Sequence, residues 1–412
     1  MICKFLNESY TAYHATANVC KILEQNGFLR LVLGQDWHVE QGGSYYVTQN
    51  GSSVVAFKVG QNKVFNVCTS HTDSPSLKVK GGEIVANGTL RRLNVEKYGG
   101  GLLYTFFDRQ LKVAGRVLTE TKTGIAQQLV ASNYNVVIPS LAIHLNSSAN
   151  DNFSVNVQSD MLPLFANGSA ELYKSLGVDN VLDADLYVVP ATDAYFAGVN
   201  NEFLCSARLD NLTSVFASVS ALTECNPQDI AVVACLDNEE IGSTTRQGSP
   251  LFLDNVLKQL EQALKFSAVE SVYARENGMI LSADNGHAAH PAHPEKSDIK
   301  NEVTLNGGIL VKHHQNYATD GLTSAAFKKL MKQNGIAVQD YYNRSGLRSG
   351  STMGPVTSRS LQIKTCDIGL AQLAMHSACE TMGAKDVALM QKAISLFLSA
   401  KISNTPNGVD IQ

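Results

Sequence analysis

Several features that would assign this 412-residue chain to a special class are absent from its sequence. It has no block of lysines and arginines and a formal net charge of only −4, so neither nucleic acid nor a membrane surface is an expected partner. No apolar run approaches the roughly 18 residues of a transmembrane helix. The N-terminus, MICKFLNESYTAYHATANVC, is typical of an amphipathic helix and not of a secretory signal, which favours a cytoplasmic location.

The cysteines also lack a diagnostic arrangement. There are 8 of them, without a CxxC pair, and several lie inside apolar runs. This is typical of reduced, packed thiols and not of a disulfide framework or a zinc ribbon. With 44% hydrophobic and 17% charged residues, the chain is otherwise an ordinary globular protein.

Helix and strand patterns alternate at both ends of the chain. The predicted helices cover 9–26, 211–224, 250–265, 321–334 and 384–400. The predicted strands cover 52–60, 63–70, 230–236, 278–284, 307–312 and 366–371. Alternation of this kind predicts an α/β fold with a doubly wound, mainly parallel sheet.

The middle of the chain has a different character. Short β-rich pieces punctuated by glycine and asparagine dominate, among them GLLYTFF (101–107) and YNVVIPSLAIHL (134–145). We therefore predict a smaller, β-rich domain at 77–192, inserted into a larger catalytic domain formed by 1–76 and 193–412.

Polar residues collect where the predicted strands end. In open α/β sheets, sites form beyond the carboxyl ends of the strands. The residues at these positions are His71, Asp73, Asp210, Glu239, Glu240, Asp284 and His376. Imidazole nitrogens and carboxylate oxygens are ligands of zinc and related divalent cations. A pair of cations needs one carboxylate that bridges them and another that accepts a proton from water.

Each of these residues also has an ordinary structural explanation. A lone histidine at a strand end is usually structural, Asp210 is typical of a helix N-cap, and Glu239-Glu240 is typical of a solvated loop. In His71-x-Asp73, however, the carboxylate can orient the imidazole. The location of every residue at the same end of one sheet favours a metal site.

The segments SHTDSP, SARLDNL, LDNEEIGS, SADNGHAAHP and LAMHS resemble, in this order, those of the M18 metallopeptidases, the group of aspartyl aminopeptidase and aminopeptidase I. VEKYGGGLLYTFFDRQLKVAGRV and VIPSLAIHL resemble the inserted domain of that family. The resemblance covers residues from about 9 to about 400. It implies an α/β catalytic domain, a β-rich dimerisation domain, and a tetrahedral dodecamer built from dimers.

The resemblance also implies roles for individual residues. His71 and Asp284 would bind one divalent cation, and Glu240 and His376 would bind the other. Asp210 would bridge the two cations, which we expect to be zinc, with cobalt or manganese as alternatives. Glu239 would be the general base and Asp73 would orient His71. His144 would enter the active site of a neighbouring subunit.

Three residues are predicted to contact substrate. His287 begins the segment HAAHPAHP (287–294), three residues after Asp284. Its three histidines are not expected to form a third metal site on one helix face, because the two prolines of the segment oppose a helix. RSGLRSGSTMG (344–354) lacks the lysine of a phosphate loop and instead predicts a turn that lines the pocket. Many members of the family have Asp-x-x-Gly-Gly-Ser-Thr there, so this chain departs from the pattern. Arg348 or Lys312 would bind an acidic N-terminal side chain, unless either is simply solvated.

The implied reaction is hydrolysis of the N-terminal residue from peptides with free N-termini, with a preference for Asp or Glu. Three alternatives stay open. The enzyme could prefer neutral N-terminal residues, it could be another amide hydrolase such as a deacylase, or the chain could be a catalytically silent, metal-bearing assembly protein.

Overall fold

A computed structural model describes residues 1–347 and 349–412. Arg348, predicted to bind substrate, lies outside the described residues. Within the described part of the chain, no helix has the length and hydropathy to cross a membrane.

The largest sheet has nine strands and a mainly parallel core. From edge to edge they are β1 (Leu29–Leu31), β2 (Ser44–Gln49), β3 (Ser53–Val59), β13 (Ile230–Leu236), β4 (Phe65–His71), β14 (Met279–Ala283), β18 (Lys364–Gly369), β16 (Ile309–His313) and β17 (Val338–Tyr342). Strands β13, β4, β14 and β18 run parallel, whereas β3 and β16 pair antiparallel with their central neighbours. The predicted α/β architecture is confirmed.

Helices cover both faces of this sheet. One layer contains α1 (Ile2–Glu8), α2 (Ala12–Gln25), α5 (Leu209–Glu224), α8 (Gly321–Gln333) and α10 (Asp386–Ser399). The other layer contains α6 (Leu251–Ala263), α7 (Ala268–Glu276) and α9 (Met353–Leu361). Strand β13 shows why its sequence is continuously apolar. Val233 and Cys235 pack into the first layer, and Val232 and Ala234 into the second.

A second, antiparallel sheet has its own hydrophobic core. Its order is β8 (Gly124–Ala131), β7 (Leu111–Thr121), β10 (Val181–Pro190), β5 (Ser76–Asn87), β6 (Leu90–Tyr98) and β9 (Leu164–Asn167). Two short helices, α3 (Val157–Asp160) and α4 (Leu172–Ser175), accompany it. Their apolar residues join a separate core cluster around Leu77, Val113 and Leu186.

Two predicted β pieces of this region are wrong. GLLYTFF contains a 3-10 helix, Leu103–Phe106, which buries Phe106 in the core. YNVVIPSLAIHL makes only isolated bridges at 136–138 and then turns after Pro139. A short apolar run can bury its side chains from a turn as well as from a strand, so its composition does not separate the two.

A third sheet lies beside the end of the large one. Its order is β11 (Tyr195–Ala197), β12 (Phe203–Ser206), β20 (Glu380–Gly383), β19 (Ala371–Leu373) and β15 (Gly286–His287). A hairpin, β21 (Ile402–Thr405) and β22 (Gly408–Ile411), ends the chain. The strand predicted at 366–371 therefore divides between two sheets. Gly369 allows the break, because a Cβ there would lie 2.1 Å from the carbonyl oxygen of Asp284.

Candidate active site

Three adjacent parallel strands bring the predicted site residues to one edge of the large sheet. His71 is the last residue of β4, the two glutamates follow β13, and Asp284 follows β14. Asp210 lies in the first turn of α5 with non-helical backbone angles, φ −84° and ψ 106°. His376 lies between β19 and β20 with φ 67°. The large sheet, helix α5 and the third sheet thus all contribute to one site.

The side chains form two groups that share one carboxylate. His71 Nε2 lies 3.5 Å from Asp210 Oδ1 and 3.7 Å from Asp284 Oδ1. His376 Nε2 lies 3.4 Å from Asp210 Oδ2 and 3.2 Å from Glu240 Oε1. In each group the nitrogen and oxygen atoms lie within 4.8 Å of one another, close enough to surround a cation. Each oxygen of Asp210 therefore faces a different group.

Two buried oxygen atoms of this cluster lack a hydrogen-bond donor. Among the described residues, Asp210 Oδ1 and Glu240 Oε1 have no partner, and their side chains are 4% and 5% exposed. Unsatisfied buried carboxylate oxygens are costly unless a cation or proton compensates them. The donor set therefore fits divalent cations.

The electrostatic field of the cluster favours positive charge. Burial alone would lower the pKa of His376, but its contacts with Asp210 and Glu240 raise it to about 11. Burial also opposes protonation of His71, yet Asp210, Asp284 and Asp73 raise its pKa well above the usual value. A field that stabilises a proton on both imidazoles also stabilises a divalent cation between them.

Glu239 differs from Glu240 in its surroundings. It faces His71 and Glu240 in a third group of potential ligands, but its carboxylate makes no hydrogen bond to the described residues. Burial, reinforced by the charges of Asp284 and Glu240, raises its pKa to about 8. A carboxylate with these properties beside a cation site is suited to accept a proton from water.

Asp73 supports both glutamates. Its Oδ1 accepts a hydrogen bond from the backbone N–H of Glu239 and its Oδ2 one from that of Glu240, each at 3.1 Å. The expected contact with His71 is also present, although Nδ1 is closer to the carbonyl oxygen of Asp73 (3.0 Å) than to the carboxylate (3.4 Å). Donation from Nδ1 to that carbonyl leaves Nε2 free for a cation.

Asp237, which had no predicted role in the site, fixes the turn after β13. Its Oδ1 accepts a hydrogen bond of 2.7 Å from the backbone N–H of Asn238, which has a left-handed φ of 57°. Asparagine tolerates this conformation better than most residues. The turn directs Glu239 and Glu240 into the cluster.

Two residues that hold the site in place, Glu380 and Tyr98, were not identified from the sequence. Glu380 is 1% exposed and accepts hydrogen bonds from the backbone N–H groups of Asp210 (3.0 Å) and His376 (2.6 Å). Tyr98, on β6 of the second sheet, donates to Asp73 Oδ2 at 2.7 Å. Both act through side chains that belong to other sheets, so no local spacing in the sequence indicates them.

A cavity of about 790 Å³ opens over the cluster. His71, Asp210, Glu239, Glu240, Asp284 and His376 line it together with His287 and Lys312. The Gly/Ser-rich segment lines it at Leu347 and at 349–352, which confirms that this turn borders the pocket. The cavity exceeds what one amino-acid side chain fills, so it has room for several residues of a peptide.

Lys312 is not the solvated side chain that one alternative expected. It is 3% exposed, and its Nζ donates to the carbonyl oxygens of Asp284 (3.1 Å) and Asn285 (2.9 Å). Nζ also lies 3.8 Å from Asp284 Oδ2 and 4.9 Å from the centre of the Tyr317 ring. In this arrangement Lys312 holds the loop that carries Asp284.

His144 lies apart from this cluster. It is exposed in a turn of the segment before α3 and does not line the cavity of its own chain. His287 lines the cavity wall, where desolvation by the surrounding protein and the charge of Lys312 lower its pKa. His293, farther along HAAHPAHP, instead lies 3.3 Å from Glu295.

An α/β sheet with imidazole and carboxylate side chains collected at its carboxyl edge is typical of metal-dependent hydrolases. The chain belongs to the M18 family, because residues 5–398 match the family described as aminopeptidase I zinc metalloprotease. It is therefore an M18 family aminopeptidase, a metallo-hydrolase.

Individual relatives agree with this assignment. The chain is 37% identical over 419 residues to the "Probable M18 family aminopeptidase 2" of Pseudomonas aeruginosa (strain UCBPP-PA14), with 96% of each chain covered. Its fold is similar to that of one chain in the cryo-EM structure of the Ape4 and Nbr1 complex (TM-score 0.91, 32% identity, 96% of this chain and 84% of the other). It is also similar to the mApe1 dodecamer of S. cerevisiae (TM-score 0.83, 28% identity, 96% and 95%).

Proposed function

We propose that this aminopeptidase uses two divalent cations, with Asp210 between them. His71 and Asp284 would hold one cation, and Glu240 and His376 the other. The observation that carries the proposal is the position of the Asp210 oxygens, 3.5 Å from His71 Nε2 and 3.4 Å from His376 Nε2. Zinc is the expected metal, in line with the family description, and cobalt or manganese would suit the same ligands.

The protein's own residues supply the rest of the chemistry. When bound, the cations would polarise the scissile carbonyl and lower the pKa of a water molecule. Glu239 would take the proton of that water and return it to the leaving amine. Asp73 holds the backbone of Glu239, and Glu380 holds that of Asp210, so both carboxylates are oriented before substrate arrives.

The proposed substrates are peptides with a free N-terminus, with Asp or Glu favoured at the first position. A buried cation, Lys312, on the cavity wall supports an acidic preference. Its bonds to the Asp284 loop favour the alternative, an enzyme for neutral residues. Kinetics on peptides that begin with Asp, Glu, Leu and Lys, with the metal content of the same preparation, would separate these.

We also propose the assembly that the family resemblance implies. Residues 77–192 would form a dimerisation domain within the catalytic domain of 1–76 and 193–412, and dimers would build a tetrahedral dodecamer. Large apolar side chains exposed on this part support an interface: Ile125, Leu129, Leu141, Ile143, Leu145 and Phe153. The similar yeast mApe1 was solved as a dodecamer. His144, exposed in the same region, would complete the site of a neighbour.

A cytoplasmic location is part of the proposal. All eight cysteines are free, and five of them are buried. Unpaired thiols are usual in reducing compartments. Fractionation with a reduced-thiol count on the protein from its native cell would test this, and disulfide-linked protein outside the cytoplasm would contradict it.

A further inference from the structure

Two positively charged side chains, those of Lys296 and Arg344, lie on the cavity wall outside the metal-ligand cluster. An isolated antiparallel bridge joins Ser297 to Asn343. It brings the end of the 3-10 helix that contains Lys296 next to the segment that continues with Arg344. Both side chains are exposed, and both line the cavity that contains the cluster. We refer to them as the Lys296–Arg344 pair.

The pair lacks anionic partners. Among the described residues, no carboxylate makes an ion pair with either side chain. Glu295, which precedes Lys296, faces His293 at 3.3 Å and interacts with the charge of Lys296 only as a weaker contribution. Two like charges on neighbouring segments repel each other, which favours the binding of an anion between them.

Asp298 also lines the cavity beside the pair, but its carboxylate is bonded within its own loop. Its Oδ1 accepts hydrogen bonds from the backbone N–H groups of Lys300 (3.1 Å) and Asn301 (3.0 Å) and from the Asn301 amide (2.8 Å). A carboxylate satisfied locally in this way neutralises only part of the two adjacent charges. This wall of the cavity therefore keeps a net positive charge.

We propose that the Lys296–Arg344 pair is a subsite for an acidic side chain in the second or third residue of the peptide, beyond the bond that is cut. This inference rests on the proposed aminopeptidase function. The positively charged side chain next to the metal-ligand cluster is that of Lys312, which contacts Asp284. The Lys296–Arg344 pair contacts none of the ligands, and the 790 Å³ cavity accommodates more than the terminal residue. The substrates selected would be peptides with acidic residues just after the N-terminus.

The expected size of the preference for an acidic side chain follows from the solvent exposure of the Lys296–Arg344 pair. Solvent-exposed ion pairs are individually weak, so two of them should give roughly a five- to ten-fold preference for Asp over Asn at the second or third position. The gain should appear in KM and not in kcat, because the contact is equal in ground state and transition state. It should disappear at about 1 M ionic strength, where the Debye length is about 3 Å.

The test compares zinc-loaded wild type with the double variant Lys296→Gln/Arg344→Gln on Leu-Asp-Ala, Leu-Asn-Ala, Leu-Ala-Asp and Leu-Ala-Asn peptides. We expect the wild-type Asp/Asn ratio of kcat/KM to exceed five at low salt at one of the two positions and to fall to about one in the double variant. Lys300→Gln is the matched control, since Lys300 is exposed on the same segment but does not line the cavity.

Three results would overturn the subsite. The wild type could show no Asp/Asn preference at either position, the double variant could retain it, or Lys300→Gln could abolish it equally. The peptides that begin with Asp, Glu, Leu and Lys give a fourth check: an effect of the double variant confined to that panel would place the pair in the N-terminal pocket and also contradict the inference. Failure of the proposed function looks different, because wild type would then cleave none of the free-amine peptides.

Discussion

Glu380 provides a sharp test of how the site is held together. Its two oxygens accept the backbone N–H groups of Asp210 and His376, so one buried carboxylate fixes both the proposed bridging ligand and one histidine. Glu380→Gln keeps the shape of the side chain but exchanges one oxygen for an amide NH₂. One of the two N–H groups then faces a donor and loses its hydrogen bond.

The expected loss can be estimated from these contacts. Leaving a buried backbone donor unsatisfied costs about 1–3 kcal/mol. Residues that orient metal ligands typically change metal affinity 10–100-fold when mutated. We therefore expect Glu380→Gln to bind the cation between Asp210 and His376 about 10–100-fold more weakly than wild type. The cation beside His71 should be affected less, because only Asp210 is shared.

Zinc titration against a competing chelator would measure both affinities, and the zinc-free melting temperature would report on the fold. Asp386→Asn is the matched control. Asp386 is also fully buried and accepts a backbone N–H, that of Asn306 at 2.8 Å, but it is not part of the ligand cluster. Unchanged affinity for both zinc ions in Glu380→Gln, or an equal loss in Asp386→Asn, would show that Glu380 does not hold these ligands.

The remaining predictions concern the base, the subunit contact and pH. Glu239→Gln should keep its metal and lose nearly all turnover, whereas Glu240→Gln should lose metal as well; metal analysis with the opposite pattern would reverse the two roles. His144→Ala should lose most activity while remaining assembled in a sizing column, and full activity in a monomeric His144→Ala variant would contradict a role across subunits. Burial and the charge of Arg208 lower the pKa of His14 to about 4. The unfolded chain therefore binds the proton first as the pH falls below about 6.5, which should cost about 2 kcal/mol of stability by pH 5. His14→Gln should flatten this decline in a series of thermal melts, and an unchanged slope would contradict it.

Long helices and strands, and the polar residues at strand ends, could be predicted from the sequence more successfully than short helices and strands. The helix predicted at 321–334 corresponds to α8 (Gly321–Gln333), which begins at a capping box of Asp320 and Thr323. Helices α7 and α9 were missed because each has only nine residues, too few for a clear period. The third sheet was missed because its strands are two to four residues long and come from distant parts of the chain.

The residues of the site also divide into those that local sequence could identify and those that it could not. Residues at strand ends could be placed together because neighbouring parallel strands end at one edge of the sheet. Tyr98 and Glu380 could not, because they reach the site from the second and third sheets, whose positions depend on tertiary packing. Asp210 was ambiguous in the sequence. Its carboxylate differs from that of an ordinary helix cap because Oδ1, which has no hydrogen-bond partner among the described residues, faces His71 and Oδ2 faces His376.

We propose above that two cations share Asp210 in an enzyme that requires a free N-terminus. Metal analysis of purified wild type and Asp210→Asn, combined with hydrolysis of one peptide in free and N-acetylated form, tests it most directly. We predict about two divalent cations per wild-type chain, loss of both in Asp210→Asn, and cleavage of the free peptide alone. Two cations retained in Asp210→Asn, or equal cleavage of the acetylated peptide, would contradict the account.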